Sequence, residues 1–381
     1  MTKRLSHGMG LEPVEADWPA LTEAEVAALL QDFPQAGDEA RLSWHSPRPF
    51  SAAALVETAS GPLFVKRHHP SVRTADWLAE EHAFLDHLAR NGAPVAQVLR
   101  DRHDRSAIER DGWTYEVHQK AEGLDLYRDA LSWTPFQHNA HAFAAGAALA
   151  KLHRAAESFA SPSRSVGVLV SNLELFGAPD PLAAIEATFA QAPALAEYLQ
   201  ARPWKDTLSE LHLPLQRELL PYLQRQPALW THNDWHASNL LWSEDGPQAQ
   251  VVSVLDFGLS DRSFALFDLA TAIERNLVPW LELDQGRAAV AHLDALDALL
   301  QGYASVRPLS RDDLLTLAAL LPLVHADFAL SEVIYFHGIL GSAESASLAY
   351  DNYLIGHTRW FLDAEGQRLL NHIRQLAATV K

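Results

Sequence analysis

Three polar side chains close together in the sequence define the chemistry available to this chain. In Thr231-His-Asn-Asp-Trp-His-Ala-Ser-Asn239 a carboxylate, Asp234, and a carboxamide, Asn239, stand five residues apart. A second carboxylate, Asp256, ends the strand-like run Val251-Val-Ser-Val-Leu255 and precedes Phe257 and Gly258. One carboxylate can orient a hydroxyl and accept its proton. A carboxamide oxygen and a second carboxylate suit the magnesium ion that bridges nucleotide phosphates. Taken singly, Asp234 and Asn239 read as turn residues and Asp-Phe-Gly is a common triplet. The order Asp-x4-Asn, a hairpin's length of chain (Ser243 to Gln250), then Asp-Phe-Gly is far more specific and points to phosphoryl transfer. His232 and His236 are four apart, but they lie in a loop without a zincin glutamate, so a zinc pair is the weaker reading.

Such groups need a cation for the phosphates. Lys66 closes the strand-like Leu63-Phe-Val-Lys66, and a compact ammonium group suits that task. A helix is expected next, from Trp77, Leu78, Glu81, Phe84, Leu85 and Leu88 at three- and four-residue spacing. Glu81 shares the apolar face, so it is the expected ion-pair partner of Lys66, with Glu80 as the alternative.

The rest of the chain divides in pattern. Thr22-Glu-Ala-Glu25 reads as a capping box opening a short helix that ends near Pro34. Strands are expected at Arg41–His45, Ala54–Thr58, Leu63–His68, Val98–Arg100 and Trp113–His118, with Ser60-Gly61-Pro62 as a hairpin turn. From Glu122-Gly123 onward the periodicity is mostly helical: His138–His153, Pro181–Gln200, Thr207–Arg225, Ala265–Arg275, Gln285–Tyr303, Asp312–Phe336 and Glu365–Ala377. In the first of these, Phe143, Ala147, Leu149 and Leu152 form the expected core stripe. The expected organisation is an α+β fold: a β-rich nucleotide lobe over residues 1–116, a hinge at 117–123 and a helical catalytic and substrate lobe over 124–381.

Composition narrows the partners. With 30 basic and 48 acidic residues the formal net charge is −18, which repels nucleic acid and anionic membranes. With no cysteines, disulfides and thiolate-bound zinc are excluded. The polar, soon acidic start does not read as a signal peptide, and the apolar stretch Leu314 to Val324 is short and holds Pro322. A soluble, cytoplasmic protein is expected.

Val65-Lys66, Glu80-Glu-His-Ala-Phe84, His232-x-Asp234-x4-Asn239 and Asp256-Phe-Gly258, with Ala148-Leu-Ala-Lys-Leu-His153 and Asp268-Leu-Ala270, resemble the aminoglycoside phosphotransferase family, also called the phosphotransferase enzyme family. The resemblance spans roughly Leu42 to Asp327 and implies a two-lobed, protein-kinase-like fold, with ATP and magnesium as cofactors. It implies Asp234 as the catalytic acceptor, Asn239 and Asp256 as metal ligands, Lys66 with Glu81 as the phosphate clamp, and Asp268 as a buttress of the catalytic loop. Phe64-Val-Lys-Arg-His-His-Pro70 and Thr74–His82 are most similar to the bacterial stress response kinase branch, with Ser51 at the tip of the loop over the nucleotide. Glu116 and His118, beside the hinge, complete the expected nucleotide contacts. The large lobe also resembles homoserine and hydroxylysine kinases. The loop Ser46–Ala53 departs from protein kinases in having no glycine.

Acceptor contacts are expected from Trp235, His236, Asp261, Asp327 and Glu332, with Glu274 and Tyr335 as further candidates. The acids and the net charge favour a hydroxyl-bearing small molecule with an amine. Protein serine or threonine is the alternative acceptor, and a nucleotide-binding pseudokinase is a second alternative.

Overall fold

The computed structural model describes residues 5–7, 12–37, 39–283 and 285–380, and its contacts fall into two compact units. The first holds the chain up to Gly123 with Arg164–Val166 and Val252–Leu255; the second holds the remainder.

In the first unit, β1 (Leu5–His7) pairs antiparallel with β2 (Pro13–Glu15). Helix α1 (Glu23–Leu30) opens with the expected capping box between Thr22 and Glu25. There follow β3 (Arg41–His45), β4 (Ala52–Thr58), β5 (Gly61–His68), α2 (Ala75–Arg90), β6 (Ala107–Arg110) and β7 (Trp113–Gln119). The strands form a five-stranded antiparallel sheet in the order β3-β4-β5-β7-β6. Gly61, at φ 115°, makes the β4–β5 turn that its lack of a Cβ allows. The expected strand at Val98–Arg100 is only a single bridge, Val98 to His118; β6 fills the edge instead.

Side chains alternate across the sheet. Leu63, Val65, Tyr115 and Val117 join the core with Val26, Leu29 and Leu30 of α1. On that side Arg67 donates to Glu25 Oε1 at 2.6 Å, as does the Tyr115 hydroxyl at 2.7 Å. The register pairs Lys66 with Glu116 and Phe64 with His118, so Lys66, His68, Glu116 and His118 share the opposite side.

The second unit is largely helical. It contains α3 (Asn139–Ala156), α4 (Pro181–Ala187), α5 (Pro193–Gln200) and α6 (Trp204–Leu223). The expected single helix over 181–200 is broken where Pro193 starts α5. Next along the chain come β8 (Ala228–Thr231), β9 (Leu240–Trp242), β10 (Val251–Val254, which from Val252 belongs to the first unit), β11 (Asp261–Phe264), α7 (Ala265–Leu277) and α8 (Trp280–Leu283). β8 and β11 pair antiparallel, with Thr231 opposite Asp261. The rest is α9 (Leu293–Ala304), α10 (Arg311–Leu320), α11 (Ala326–Val333), α12 (Ala343–Leu348), α13 (Thr358–Leu362) and α14 (Ala364–Thr379).

Close backbone contact joins α3 to α9. A Cβ at Gly302 would lie 2.0 Å from the Phe143 carbonyl oxygen, and one at Gly146 2.1 Å from that of Leu299. The buried face of α3 therefore runs through His141, Ala142, Ala145 and Leu149, and Phe143, expected inside, is exposed. Arg311–Ile339 is one helical run long and apolar enough to cross a membrane, but 89% of its most apolar window is buried inside the fold.

Candidate functional site

The loop after β8 is held from beneath by one carboxylate. Asp268, in the first turn of α7 and fully buried, accepts the backbone N–H groups of His232 (2.8 Å) and Asn233 (2.9 Å). His153 Nε2 donates to it at 3.0 Å, and the Tyr303 hydroxyl lies 2.9 Å from His153 Nδ1. Asn233 takes the left-handed conformation (φ 63°), which asparagine tolerates, and its amide donates to the Ser171 carbonyl at 2.7 Å. Asn276 of α7 clasps the far side, accepting from the Ala237 N–H and donating to the Trp235 carbonyl, both at 2.8 Å.

Asp234 stands at the top of this loop, with a side chain 17% exposed. Asn239 Nδ2 donates to its Oδ2 at 3.1 Å and to its carbonyl at 3.0 Å. His236 Nε2 lies 3.5 Å from Oδ2 and Arg275 Nη2 lies 3.7 Å from Oδ1. Burial pushes the Asp234 carboxyl up, but His236, Arg275 and His232 together hold it well below the usual carboxylate range. It is a fixed, ionised acceptor.

With its nitrogen tied to Asp234, Asn239 is left with its oxygen for a cation. Asp256, just past the strand as expected, is exposed and adopts φ 57°, a left-handed conformation that costs an aspartate energy and is common at functional sites. An amide oxygen and a carboxylate fit a hard divalent cation. Such an ion, when bound, neutralises charge on nucleotide phosphates.

In the first unit the expected Lys66–Glu81 pair is not made. Glu81 is buried and its Oε2 lies 3.3 Å from Arg164 Nη2, within the segment Arg164–Val166. Glu80, the alternative, accepts from the Ser165 backbone N–H (3.1 Å) and hydroxyl (2.6 Å). Lys66 Nζ instead lies 4.0 Å from Glu116 Oε1. Glu116 is 1% exposed and its oxygens are engaged by histidines, so its side chain is not open to a nucleotide base. His118, half-buried, is one of these histidines. Ser51 directly precedes β4. Beside it Phe50 adopts φ 73°, doing in this glycine-free loop what glycine does elsewhere.

Residues 47–309 match the profile of the "Phosphotransferase enzyme family". The chain belongs to this family. Its α+β, protein-kinase-like fold is shared with solved structures at low identity. The microcompartment-associated aminopropanol kinase is 18% identical over 93% of this chain and 99% of its own, with a TM-score of 0.58. The amicoumacin kinase solved with AMP-PNP, Ca2+ and Ami is 12% identical over 94% and 95%, at 0.55. The aminoglycoside phosphotransferase from Alicyclobacillus acidocaldarius is 14% identical over 95% and 98%, at 0.51. No curated protein matches the sequence significantly.

This phosphotransferase carries a buried polar cluster beside Asp234. Arg275 Nε lies 3.6 Å from Glu274 Oε2, and Glu274 Oε1 lies 3.6 Å from His357 Nδ1 and 4.0 Å from His325 Nδ1. His325 Nε2 lies 3.6 Å from Glu332 Oε2. These five side chains are each more than nine-tenths buried. Glu274 Oε1, Arg275 Nε, His325 Nε2, Glu332 Oε2, both His357 nitrogens and the nearby Trp133 Nε1 have no hydrogen-bond partner among the described residues. Burial holds His357 down to about 4, so it is neutral at physiological pH. Trp133, at φ 64°, packs its ring against Tyr353 (4.8 Å), His357 (5.6 Å) and the Arg275 guanidinium (5.4 Å). Glu332 and Glu274 were expected here; Arg275, His357 and Trp133 were not. The one local signal was Glu274-Arg275-Asn276, three consecutive polar residues in the last turn of α7.

Four expected acceptor residues are instead buried within the fold. Trp235 is fully buried, edge-on to the His232 ring at 5.5 Å, so it packs within the loop and offers no surface to a ligand. Tyr335 is buried as well. Asp261 is buried in β11 and accepts from Asn172 Nδ2 (2.9 Å) and the Arg262 N–H (2.7 Å). Asp327 accepts the backbone N–H groups of Leu175 (2.6 Å) and Phe176 (3.0 Å), pinning the loop before α4.

Burial pushes the Asp327 carboxyl up to about 7, against the pull of those two amides. A carboxyl raised above its ordinary 3.8 contributes stability that is full below that value and is lost as pH rises through 7. The stability of the wild type relative to Asp327→Asn should therefore fall by roughly 2–3 kcal/mol between pH 5 and pH 8. Urea unfolding of both proteins at the two pH values measures this; a pH-independent difference would mean that Asp327 stays ionised throughout.

Proposed function

We propose that this phosphotransferase uses ATP and magnesium to phosphorylate a hydroxyl of an amine-bearing small molecule, in the cytoplasm. Asp234 orients the acceptor hydroxyl and takes its proton as the oxygen attacks the γ-phosphoryl group. Asn239 and Asp256 hold the metal, and Lys66 contacts the phosphates. The aminopropanol kinase and the amicoumacin kinase with AMP-PNP and Ca2+ lend support as small-molecule kinases on the same fold.

The observation that carries the choice of acceptor is the buried cluster beside Asp234. Each buried polar atom without a partner costs about 1–3 kcal/mol. A ligand that supplies the missing donors and acceptors recovers that energy. Counting Asp234, three carboxylates stand there against one guanidinium, which pairs with Asp234 and Glu274 while Glu332 meets only His325 among the described residues, so an ammonium group on the acceptor complements the charge.

Transfer from ATP to hydroxylated amines, amino acids and sugars, measured beside autophosphorylation and generic protein substrates, tests this reading. Glu274→Gln and Glu332→Gln should each raise the KM of the preferred acceptor about 10-fold and leave the KM for ATP unchanged. Transfer to protein hydroxyls alone would establish the protein kinase alternative. No magnesium-dependent turnover with any acceptor would establish the pseudokinase.

A further inference from the structure

Glu116, in the first unit, is a buried carboxylate engaged by three imidazoles. His68 Nε2 lies 2.9 Å from its Oε1, and His82 Nε2 and His118 Nε2 lie 2.7 and 2.8 Å from its Oε2. A carboxylate can only accept, so all three imidazoles present their Nε2–H to it. Lys66, its cross-strand partner, places Nζ 4.0 Å from Oε1. The three imidazoles take three of the roughly four lone-pair positions of the carboxylate, and the Lys66 ammonium at 4.0 Å adds an ion pair rather than a hydrogen bond. Burial pushes the Glu116 carboxyl up, but His118, His68 and His82 hold it well below the ordinary range. It carries a full negative charge beside Lys66, whereas Glu81, the acid on the buried face of α2, is turned to Arg164.

We propose that Glu116, clamped by His68, His82 and His118, is the counter-charge that orients the Lys66 ammonium for the nucleotide phosphates, in place of a carboxylate from α2. This rests on Lys66 being a phosphate contact. Helix α2 then acts on the lysine through His82 and Glu116, and Glu116 is a positioning residue.

The same atoms invite a metal reading, since ligand atoms of His82, Glu116 and His118 lie within 4.8 Å of one another. Two observations favour the hydrogen-bonded cage. His82 Nδ1 has no hydrogen-bond partner among the described residues, whereas a metal-binding imidazole is ordinarily fixed through its second nitrogen. The Lys66 ammonium beside the same carboxylate would also repel a cation.

Calorimetric titration of the full chain with ADP plus magnesium, and separately with adenosine, tests the proposal. Lys66→Met and Glu116→Gln should each weaken ADP binding about 10-fold and leave adenosine binding within about 2-fold. The double variant should bind ADP no more weakly than Lys66→Met alone. His82→Met should weaken ADP binding about 3-fold, and His82→Gln, which keeps an N–H donor, should recover most of that loss. This pair serves if Glu116→Gln does not fold. If Lys66→Met weakens ADP binding but the Glu116 and His82 variants do not, the inference fails while the phosphate contact stands. If Lys66→Met binds ADP as the wild type does, the phosphate contact fails and the inference with it. Equal weakening of ADP and adenosine would reduce Glu116 to a structural part. A stoichiometric transition metal, lost in His82→Met, would replace the cage with a metal site.

Discussion

Asp234→Asn is expected to lower kcat about 1,000-fold while ATP affinity stays within about 2-fold of the wild type. Asparagine keeps the shape and can still accept the Asn239 amide, which donates at 3.1 Å. It cannot take the acceptor's proton or carry charge beside the attacking oxygen. Arg275 loses one partner but keeps Glu274 at 3.6 Å, so the fold should tolerate the change. The carboxyl is held well below its usual range by His236, Arg275 and His232 against the effect of burial, which makes it a weak base. That suits a loose transition state, in which the hydroxyl proton leaves late and orientation matters more than basicity. Asp234 should therefore contribute no acid limb to the kcat profile above about pH 5. Steady-state kinetics from pH 5 to pH 9, with nucleotide binding measured separately, decide the matter. A variant keeping a tenth of the wild-type kcat would sink Asp234 as the proton acceptor.

The catalytic loop was legible in the sequence because its chemistry is local. Asp234 and Asn239 touch at the spacing that suggested them, and Asp268 supports the loop as the family resemblance implied. Lys66 was legible as the cation of its strand, though it lies two residues inside the strand rather than at its end, and its partner was not legible. Helical periodicity put Glu81 on the buried face of α2, which is where it lies, yet it carries no information about Arg164, which reaches that face from far along the chain. Finding Glu116 required the register between β5 and β7, and hydrophobic alternation leaves register open. Asp261 and Asp327 were misread for a related reason. A buried acid looks the same in sequence whether it meets a ligand or, as here, backbone amides. Trp133, Arg275, His325 and His357 come from four separate segments, and only tertiary structure brings them together.

Asp268→Ala should be the most damaging change to the fold of the catalytic loop. It strips the acceptor from two buried backbone amides, His232 and Asn233, and from the His153 imidazole, all now within 2.8–3.0 Å of the carboxylate. Burial pushes the Asp268 carboxyl up, but His153 and His232 hold it below the ordinary range, so an ionised group is being removed. Breaking a buried pair of this kind costs about 3–5 kcal/mol. The folded fraction should also lose about 100-fold in kcat, because the loop that carries Asp234 is no longer pinned and a shift of about 1 Å suffices for such a loss. Asp268→Asn keeps one acceptor but turns an N–H toward a donor, so it should fall between the wild type and alanine on both measures. Urea unfolding and kcat, measured on the same preparations, check this. An Asp268→Ala protein that unfolds with the wild type but has lost turnover would instead place Asp268 in contact with substrate.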